Sequence, residues 1–404
     1  MTTAEHAAEL RRILADGGLD TVFQPIVDLE TMQVRAFEAL TRGPAGSSLE
    51  MPDALFPAAA ETGLTTQLDL ACIRASLTAA RRHGLTAPFS VFVNVEADTI
   101  GRLAAAPPDR PVVIEITERN LLNDPGALIR SARSLHDAGM LIAMDDVGTD
   151  PASLALLPLL QPDIIKLDMG LLQKKPGRNA ALVMDAISTY TEQIDTIVLA
   201  EGVESERDLI KARALGATLA QGWFFGRPDA VPQGEPAALA PSRPPRSPAA
   251  STPFDVAAAA RDAVPSTKPL LIEASKFLEA CALECDETTL VFSTFQDNAN
   301  FNSRMLARYT ALSERASLVA AFVQAGTEQQ TGLPSLPNLR VASFDATDRL
   351  AAEWSVIVLS SRYCAMLSAR ETHEQHDDGD RFEYILTHDR RLVTLAAITL
   401  ANRL

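Results

Sequence analysis

Eight short acidic or polar clusters punctuate the first 228 residues, and their residue types suit chemistry better than packing. In order they are Gln24-Pro25-Ile26, Glu38-Ala39-Leu40-Thr41-Arg42, Val93-Asn94-Val95, Glu115-Ile116-Thr117-Glu118, Asp145-Asp146, Lys166-Leu167-Asp168, Glu201-Gly202-Val203-Glu204 and Gln221-Gly222. Nearly every one closes an apolar run. Carboxylates that converge from several strand ends make a site for divalent cations, and such cations serve phosphate chemistry. Adjacent Asp145 and Asp146 repel each other unless a cation sits between or beside them. Lys166 lies inside Ile164-Ile165-Lys166-Leu167, where an uncompensated ammonium is costly; a carboxylate cluster compensates it. Asn94, amid Val91, Phe92, Val93 and Val95, is an amide either satisfied by backbone or held for a ligand. Glu38, Leu40 and Arg42 share one strand face, which sets a metal-ligating carboxylate beside a guanidinium able to fork onto a phosphate oxygen.

The elements that must carry these groups follow from periodicity. Apolar runs rich in β-branched residues at 21–27, 33–40, 89–95, 112–117, 140–144, 164–167, 196–200 and 218–220 read as strands. Helical periodicities at 52–63, 67–83, 125–139, 179–193 and 205–215 lie between most of them. Gly63, Gly84, Gly139 and Gly216 fall where helices should stop. About eight strands alternating with helices predict a closed TIM-like (β/α)8 barrel over residues 1–228, with functional groups at the C-terminal strand ends. An open doubly wound sheet should show a Gly-rich phosphate loop after its first strand, and none is present. Residues 229–267 are rich in Pro and Ala and poor in large apolar side chains, so they read as a linker, with one helical turn possible at 256–260. Residues 268–404 read as a smaller α/β domain, with strands at 290–295, 317–324, 341–344, 355–360 and 382–387. Helices are expected there at 270–285, 302–312 and 390–404.

Composition sets outer limits. The 404 residues suffice for two domains, and a hydrophobic fraction of 47% suffices for real cores. A net charge of −16 argues against a surface that grips long nucleic acid, but not against a small anionic nucleotide neutralised locally. Four scattered cysteines make no disulfide framework. Residues 1–20 carry interspersed charges unlike a secretory signal, and no run approaches the roughly 20 apolar residues of a membrane span. A cytoplasmic protein without a membrane partner is the expectation.

Taken in order, Glu38-Ala-Leu with Arg42, the Asn94 strand, Glu115-Ile-Thr-Glu118, Asp145-Asp146, Lys166-Leu-Asp168, Ala200-Glu-Gly-Val-Glu204 and Gln221-Gly resemble the EAL family of cyclic-di-GMP phosphodiesterases. The resemblance spans about residues 5–230. It implies a metal-dependent barrel that opens one phosphodiester of cyclic di-GMP to give linear pGpG, and a homodimer. By the same resemblance Glu38, Asn94, Glu115, Asp145 and Asp146 are ligands of a two-cation Mg2+ or Mn2+ site. Lys166 positions the attacking water, and Glu201 serves the metal–water centre, with general-base catalysis as one route. Gln24, Arg42, Asp168 and Gln221 match positions that hold substrate or its surroundings, and Glu118 anchors the loop after the aspartate pair. The chemistry is consistent: two cations about 4 Å apart acidify water near neutral pH and stabilise charge developing at phosphorus. The alternative is a catalytically silent cyclic-di-GMP receptor that signals through its C-terminal domain; such receptors generally lack the metal ligands retained here.

One departure and one further resemblance bear on regulation. Where the family continues Asp-Asp-Phe-Gly-Thr-Gly-Tyr, this chain has Val147, Asp150 and Pro151 in place of Phe, Gly and Tyr. Pro151 fixes φ and removes a donor, so the loop should be stiffer, and in the family it couples dimerisation to metal binding. Leu350-Ala-Ala-Glu-Trp354 with Val356-Ile-Val-Leu359, then Arg381-Phe-Glu-Tyr-Ile-Leu-Thr-His-Asp-Arg390, resemble the DICT sensory domain. That resemblance implies a sensing role that tunes the barrel and names no ligand. Cys281 and Cys285 share a helix face, where free cysteines are most often small buried apolar groups.

Overall fold

The structure, a computed structural model, describes residues 3–85, 87–100, 102–103, 111–117, 124–232, 239, 252–296, 303–325, 336, 338–372 and 381–404. The chain forms two compact units. The first comprises Met1–Asn120, Ser131–Thr149 and Pro162–Pro244; the second comprises Leu121–Arg130, Asp150–Gln161 and Pro245–Leu404. Among the described residues no helix is long and apolar enough to cross a membrane.

In the first unit eight strands close into a barrel in sequence order: β1 (Asp20–Asp28), β2 (Val34–Arg42), β3 (Ser90–Asn94), β4 (Val112–Thr117), β5 (Leu141–Val147), β6 (Ile164–Leu167), β7 (Ile197–Ala200) and β8 (Leu219–Gln221). The TIM-like architecture expected from the alternation is present, with one difference. β1 runs antiparallel to both of its neighbours, pairing Gln24 with Glu38 on β2 and Ile26 with Gln221 on β8. The cause lies in the connection: residues 29–33 are too few for a crossover helix, so β1 and β2 must form a hairpin. From β2 to β8 the strands are parallel.

The barrel interior holds one apolar side chain from each strand, Ile26, Ala36, Phe92, Val113, Ala143, Ile164, Leu199 and Leu219, all buried together. Large Phe92 shares the layer with small Ala36 and Ala143, the alternation of sizes that lets such a layer fill. This layer is the floor on which any site at the C-terminal strand ends must rest.

The second unit is built on a seven-stranded sheet in the order β12-β11-β10-β13-β14-β15-β9. Its strands are β9 (Val264–Thr267), β10 (Leu290–Phe295), β11 (Leu318–Gln324), β12 (Leu339–Phe344), β13 (Glu353–Leu359), β14 (Cys364–Glu371) and β15 (Arg381–Thr387). β10, β11 and β12 are parallel; the remaining pairs are antiparallel. Val291, Val319, Val356 and Leu367 pack with Leu271, Leu278 and Ala282 of helix Lys268–Glu284 and with Tyr309 and Leu312 of helix Ser303–Ser313. Helix Arg390–Ala401 buries Val393, Ala396, Ala397 and Leu400 and packs on β13 and β14.

The stretch expected as a linker contains regular structure at its end. Helix Pro253–Ala258 and β9 both fall inside residues 229–267. The helix is short and Ala-rich, and composition hides it. Its start is nevertheless capped, with the Thr252 hydroxyl accepting from the Asp255 amide, and Phe254 and Val256 are buried. β9 is an exposed edge strand bearing Pro265, which is where a strand can tolerate proline. The residues from 233 to 251, apart from 239, lie outside the described part of the chain.

Candidate functional site

Strand periodicity places the site. Moving two residues along each strand from the apolar layer, toward the C-terminal ends of β2–β8, gives Glu38, Asn94, Glu115, Asp145, Lys166, Glu201 and Gln221. On the reversed β1 the same step runs backward and gives Gln24. Successive side chains on a strand alternate faces, so each of these eight residues stands on the inward face directly above an apolar neighbour. A complete ring of eight polar groups is therefore stacked on a complete ring of eight apolar ones.

Asp146 would face away from this ring in a regular strand. It does not, because β5 bulges: its register against β6 shifts between Met144 and Val147, and Asp146 takes a left-handed φ of 58°. Asp is among the few non-glycine residues that visit this region readily. The bulge brings carboxylate oxygens of Asp145, Asp146 and Glu201 within 4.8 Å of one another.

Lys166 is the centre of the ring, only 1% exposed. Its Nζ lies 2.5 Å from Glu115 Oε1, 2.7 Å from Glu201 Oε1, 3.1 Å from Asp145 Oδ1 and 3.9 Å from Glu38 Oε1. Burial opposes the ammonium, but the carboxylates of Asp145, Glu115, Glu201 and Glu38 outweigh it and hold the lysine well above its ordinary pKa. Burial pushes Glu115 well above the usual carboxylate range and Glu201 up to about 8, although Lys166 pulls both the other way. Glu38 moves down: burial raises it, yet Lys166 and donated hydrogen bonds from Gln221 and Asn94 prevail.

Hydrogen bonds orient Glu38 from both sides. Asn94 Nδ2 donates to Oε1 at 3.0 Å, and Gln221 Nε2 donates to Oε2 at 2.5 Å and to Gln24 Oε1 at 2.9 Å. Asn94 is thus satisfied by a carboxylate and not by backbone. Gly222 makes the Gln221 placement possible, since a Cβ there would collide with the backbone of Val203. Both oxygens of buried Glu115 lack a donor in hydrogen-bonding geometry, although the Lys166 ammonium lies against one of them. With Asp146 and the four carboxylates around Lys166 all ionised, as bound cations would hold them, the single ammonium would leave four negative charges to be balanced. The orphaned Oε2 of Glu115, within an all-oxygen donor set, fits hard divalent ions.

Residues 7–228, more than half of the chain, match the family model of the EAL domain. The chain belongs to the EAL domain family. Residues 256–372 match the DICT model, described as a sensory domain in diguanylate cyclases and two-component systems. Among curated proteins, the EAL region is similar to the probable cyclic di-GMP phosphodiesterase PdeG of Escherichia coli, 28% identical over 237 residues covering 54% of this chain and 46% of that protein. It is also similar to the cyclic di-GMP phosphodiesterase NbdA of Pseudomonas aeruginosa, 29% identical over 235 residues covering 54% of this chain and 30% of that one. The chain spans less than half the length of either relative. Among solved structures, the FimX EAL domain of Xanthomonas citri, crystallised with c-diGMP, superposes with a TM-score of 0.50 at 16% identity, covering 56% of this chain and 94% of that one. At that identity the likeness speaks to the fold alone.

Within the EAL barrel the remaining expected residues take other places. Arg42 ends β2 half-buried and donates from Nη1 to the Thr41 carbonyl at 2.8 Å. Asp168 caps the helix Met169–Gln173, accepting from Gly170 N at 2.8 Å. Glu118 lies outside the described residues. In the loop after the aspartates, Asp150 caps the 3-10 turn Pro151–Leu156 and accepts from Ala152 N at 2.9 Å. Sequence reasoning passed over Asp69. It sits in the helix Thr65–Arg82, buried, with its carboxylate on the turn that follows Asn94.

Proposed function

We propose that the EAL barrel hydrolyses one phosphodiester of cyclic di-GMP to linear pGpG, in a reaction dependent on Mg2+ or Mn2+. The observation that carries this reading is the ring of eight polar strand-end groups in which four carboxylates converge on buried Lys166. The names of the two curated relatives support the same substrate.

In this reading Glu38, Asn94, Glu115, Asp145 and Asp146 hold two divalent cations. Bound there, the cations supply Lewis-acid polarisation of the phosphodiester and of the attacking water. Gln221 and Asn94 fix the direction of the Glu38 carboxylate. Lys166 Nζ orients the water and carries positive charge toward the phosphate, which its neighbouring carboxylates secure. Glu201, whose Oε1 lies 2.7 Å from Lys166 Nζ, accepts a proton from that water in its ionised form. Gln24, Arg42 and Asp168 border the substrate. A homodimer and tuning by the DICT domain complete the proposal.

The test is direct. Purified chain should convert cyclic di-GMP to pGpG with Mg2+ or Mn2+, and EDTA should stop it. Nucleotide binding with no pGpG at saturating metal would make the barrel a receptor instead.

A further inference from the structure

Asp69 is the least expected charge in the barrel. It projects from the helix Thr65–Arg82, which packs on β1, β2 and β3, and it is 1% exposed. Among the described residues no lysine, arginine or histidine pairs with it. Its Oδ2 accepts two hydrogen bonds, from the Glu96 backbone amide at 3.0 Å and from the buried Thr99 hydroxyl at 2.8 Å. Desolvation pushes its carboxyl up to about 6 despite those bonds, so near neutrality the protein keeps an ionised, uncompensated carboxylate in an apolar wall. An apolar side chain of the same shape would avoid that desolvation, at the cost of leaving the Glu96 amide and the Thr99 hydroxyl without this acceptor.

The two bonds land on one turn. Glu96 and Thr99 bound a four-residue turn that starts just past Val95, the first residue after β3, and Thr99 N closes that turn onto Glu96 O at 2.8 Å. Immediately before the turn, Val95 N bonds to Glu115 O at 3.0 Å, and Asn94 Nδ2 reaches Glu38 Oε1. One side chain on the outer helix thus grips the segment whose first residue orients a carboxylate of the polar ring.

We propose that Asp69 is a positioning residue: its carboxylate pins the turn 96–99 and so holds the Asn94 amide, and through it Glu38, in the geometry that binds divalent cations. The proposal rests on the reading of the ring as a cation site. Its signature is a separation of stability from function. A residue kept only for structure loses both when replaced, whereas a buried charge kept for positioning loses function while stability holds or rises.

Asp69→Leu, of similar size and without acceptors, and Asp69→Asn, which keeps one acceptor oxygen for both donors, separate the two. Measured in the full chain by calorimetric Mn2+ titration without nucleotide, Asp69→Leu should bind about 10- to 100-fold more weakly, the range for groups that orient metal ligands. Its melting temperature should stay within about 5 °C of the wild type, because relief from burying the carboxylate offsets the two lost bonds. Asp69→Asn should keep Mn2+ affinity within about threefold. Folded Asp69→Leu with wild-type affinity overturns the proposal, as does parallel loss of melting temperature and affinity in both variants. If Asp69→Leu does not fold, Thr99→Val removes one donor at constant volume and decides in the same terms. A wild-type chain that binds no Mn2+ takes down the cation-site reading and this proposal together; wild-type binding with an unchanged Asp69→Leu takes down this one alone.

Discussion

Lys166 and Glu38 show how single residues divide the work of the ring. Lys166 is buried with four carboxylates within 4 Å, and its charge is held by them. Glu38 is held by neutral donors, Asn94 and Gln221, one on each oxygen. A carboxylate fixed by amides keeps its negative charge and its direction, which suits a cation ligand. Glu38→Ala should therefore lower pGpG formation by at least about a hundredfold, beyond the 10- to 100-fold typical of outer partners. Turnover like that of the wild type at saturating Mg2+ would remove Glu38 from the metal site. Replacing Mg2+ by Ca2+ should slow hydrolysis at least tenfold while leaving binding, because the larger ion takes looser geometry and polarises water less. Equal rates with both ions would make the cation structural. Most of these residues were legible because several charged or amide groups fall at successive strand ends in order; Asn94 alone was also readable as an amide satisfied by backbone. Asp69 was not, because one acidic residue in an amphipathic helix reads as its solvated face, and only packing shows otherwise.

At the level of elements, the constant two-residue offset between the apolar and polar rings is what makes strand ends a reliable place to look for the site. The reversed β1 was also within reach, since a five-residue connection cannot cross a sheet. β14 was not. Its sequence Cys-Ala-Met-Leu-Ser-Ala-Arg-Glu favours helix on propensity, and it is a strand only because β13 and β15 pair it on both sides. The helix Pro253–Ala258 depends on a contact equally remote in sequence. Glu353 at the start of β13, 3% exposed, accepts from the Thr252 hydroxyl at 2.5 Å and from Phe254 N at 3.2 Å. Burial pushes Glu353 up to about 7 against those bonds. A carboxyl raised above its ordinary 4.5 binds its proton more tightly in the folded chain. The associated stability is complete below about pH 4.5 and is lost as pH rises through about 7. This group alone should make the second unit weaker at pH 8 than at pH 5, by on the order of 1–3 kcal/mol. Glu353→Gln should flatten that part of the pH dependence and raise the melting temperature at pH 8. An unchanged difference between the two pH values in the variant would show that Glu353 does not titrate there.

For the whole molecule the open question is whether the barrel needs a second copy of itself to keep its aspartates in place. The loop after the aspartate pair, which the resemblance to the family ties to dimerisation, is held in this chain by its own residues. Thr149 N bonds to Asp146 O at 3.1 Å, and Asn179 Nδ2 bonds to Gly148 O at 2.7 Å. Gly148, at a φ of 105°, lies so close to Leu171 that a Cβ would overlap that side chain. Asp150 and Pro151 then start a capped 3-10 turn, with the Ser153 hydroxyl donating to Asp150 O at 2.7 Å. The first two bonds hold the bulge at Asp146 from within one chain, and Pro151 lowers the entropy the loop would otherwise regain. The expected outcome is that turnover per chain stays within about twofold on dilution through dimer dissociation, because a pre-ordered loop gains little from a partner. Restoring the family residues by Val147→Phe, Asp150→Gly and Pro151→Tyr frees the loop and should make turnover fall on the same dilution. Concentration series of both proteins, with mass followed by light scattering, measure this. Native chain that loses activity on reaching the monomer, together with a triple variant that behaves no differently, defeats the stiffening argument and leaves the phosphodiesterase reading intact.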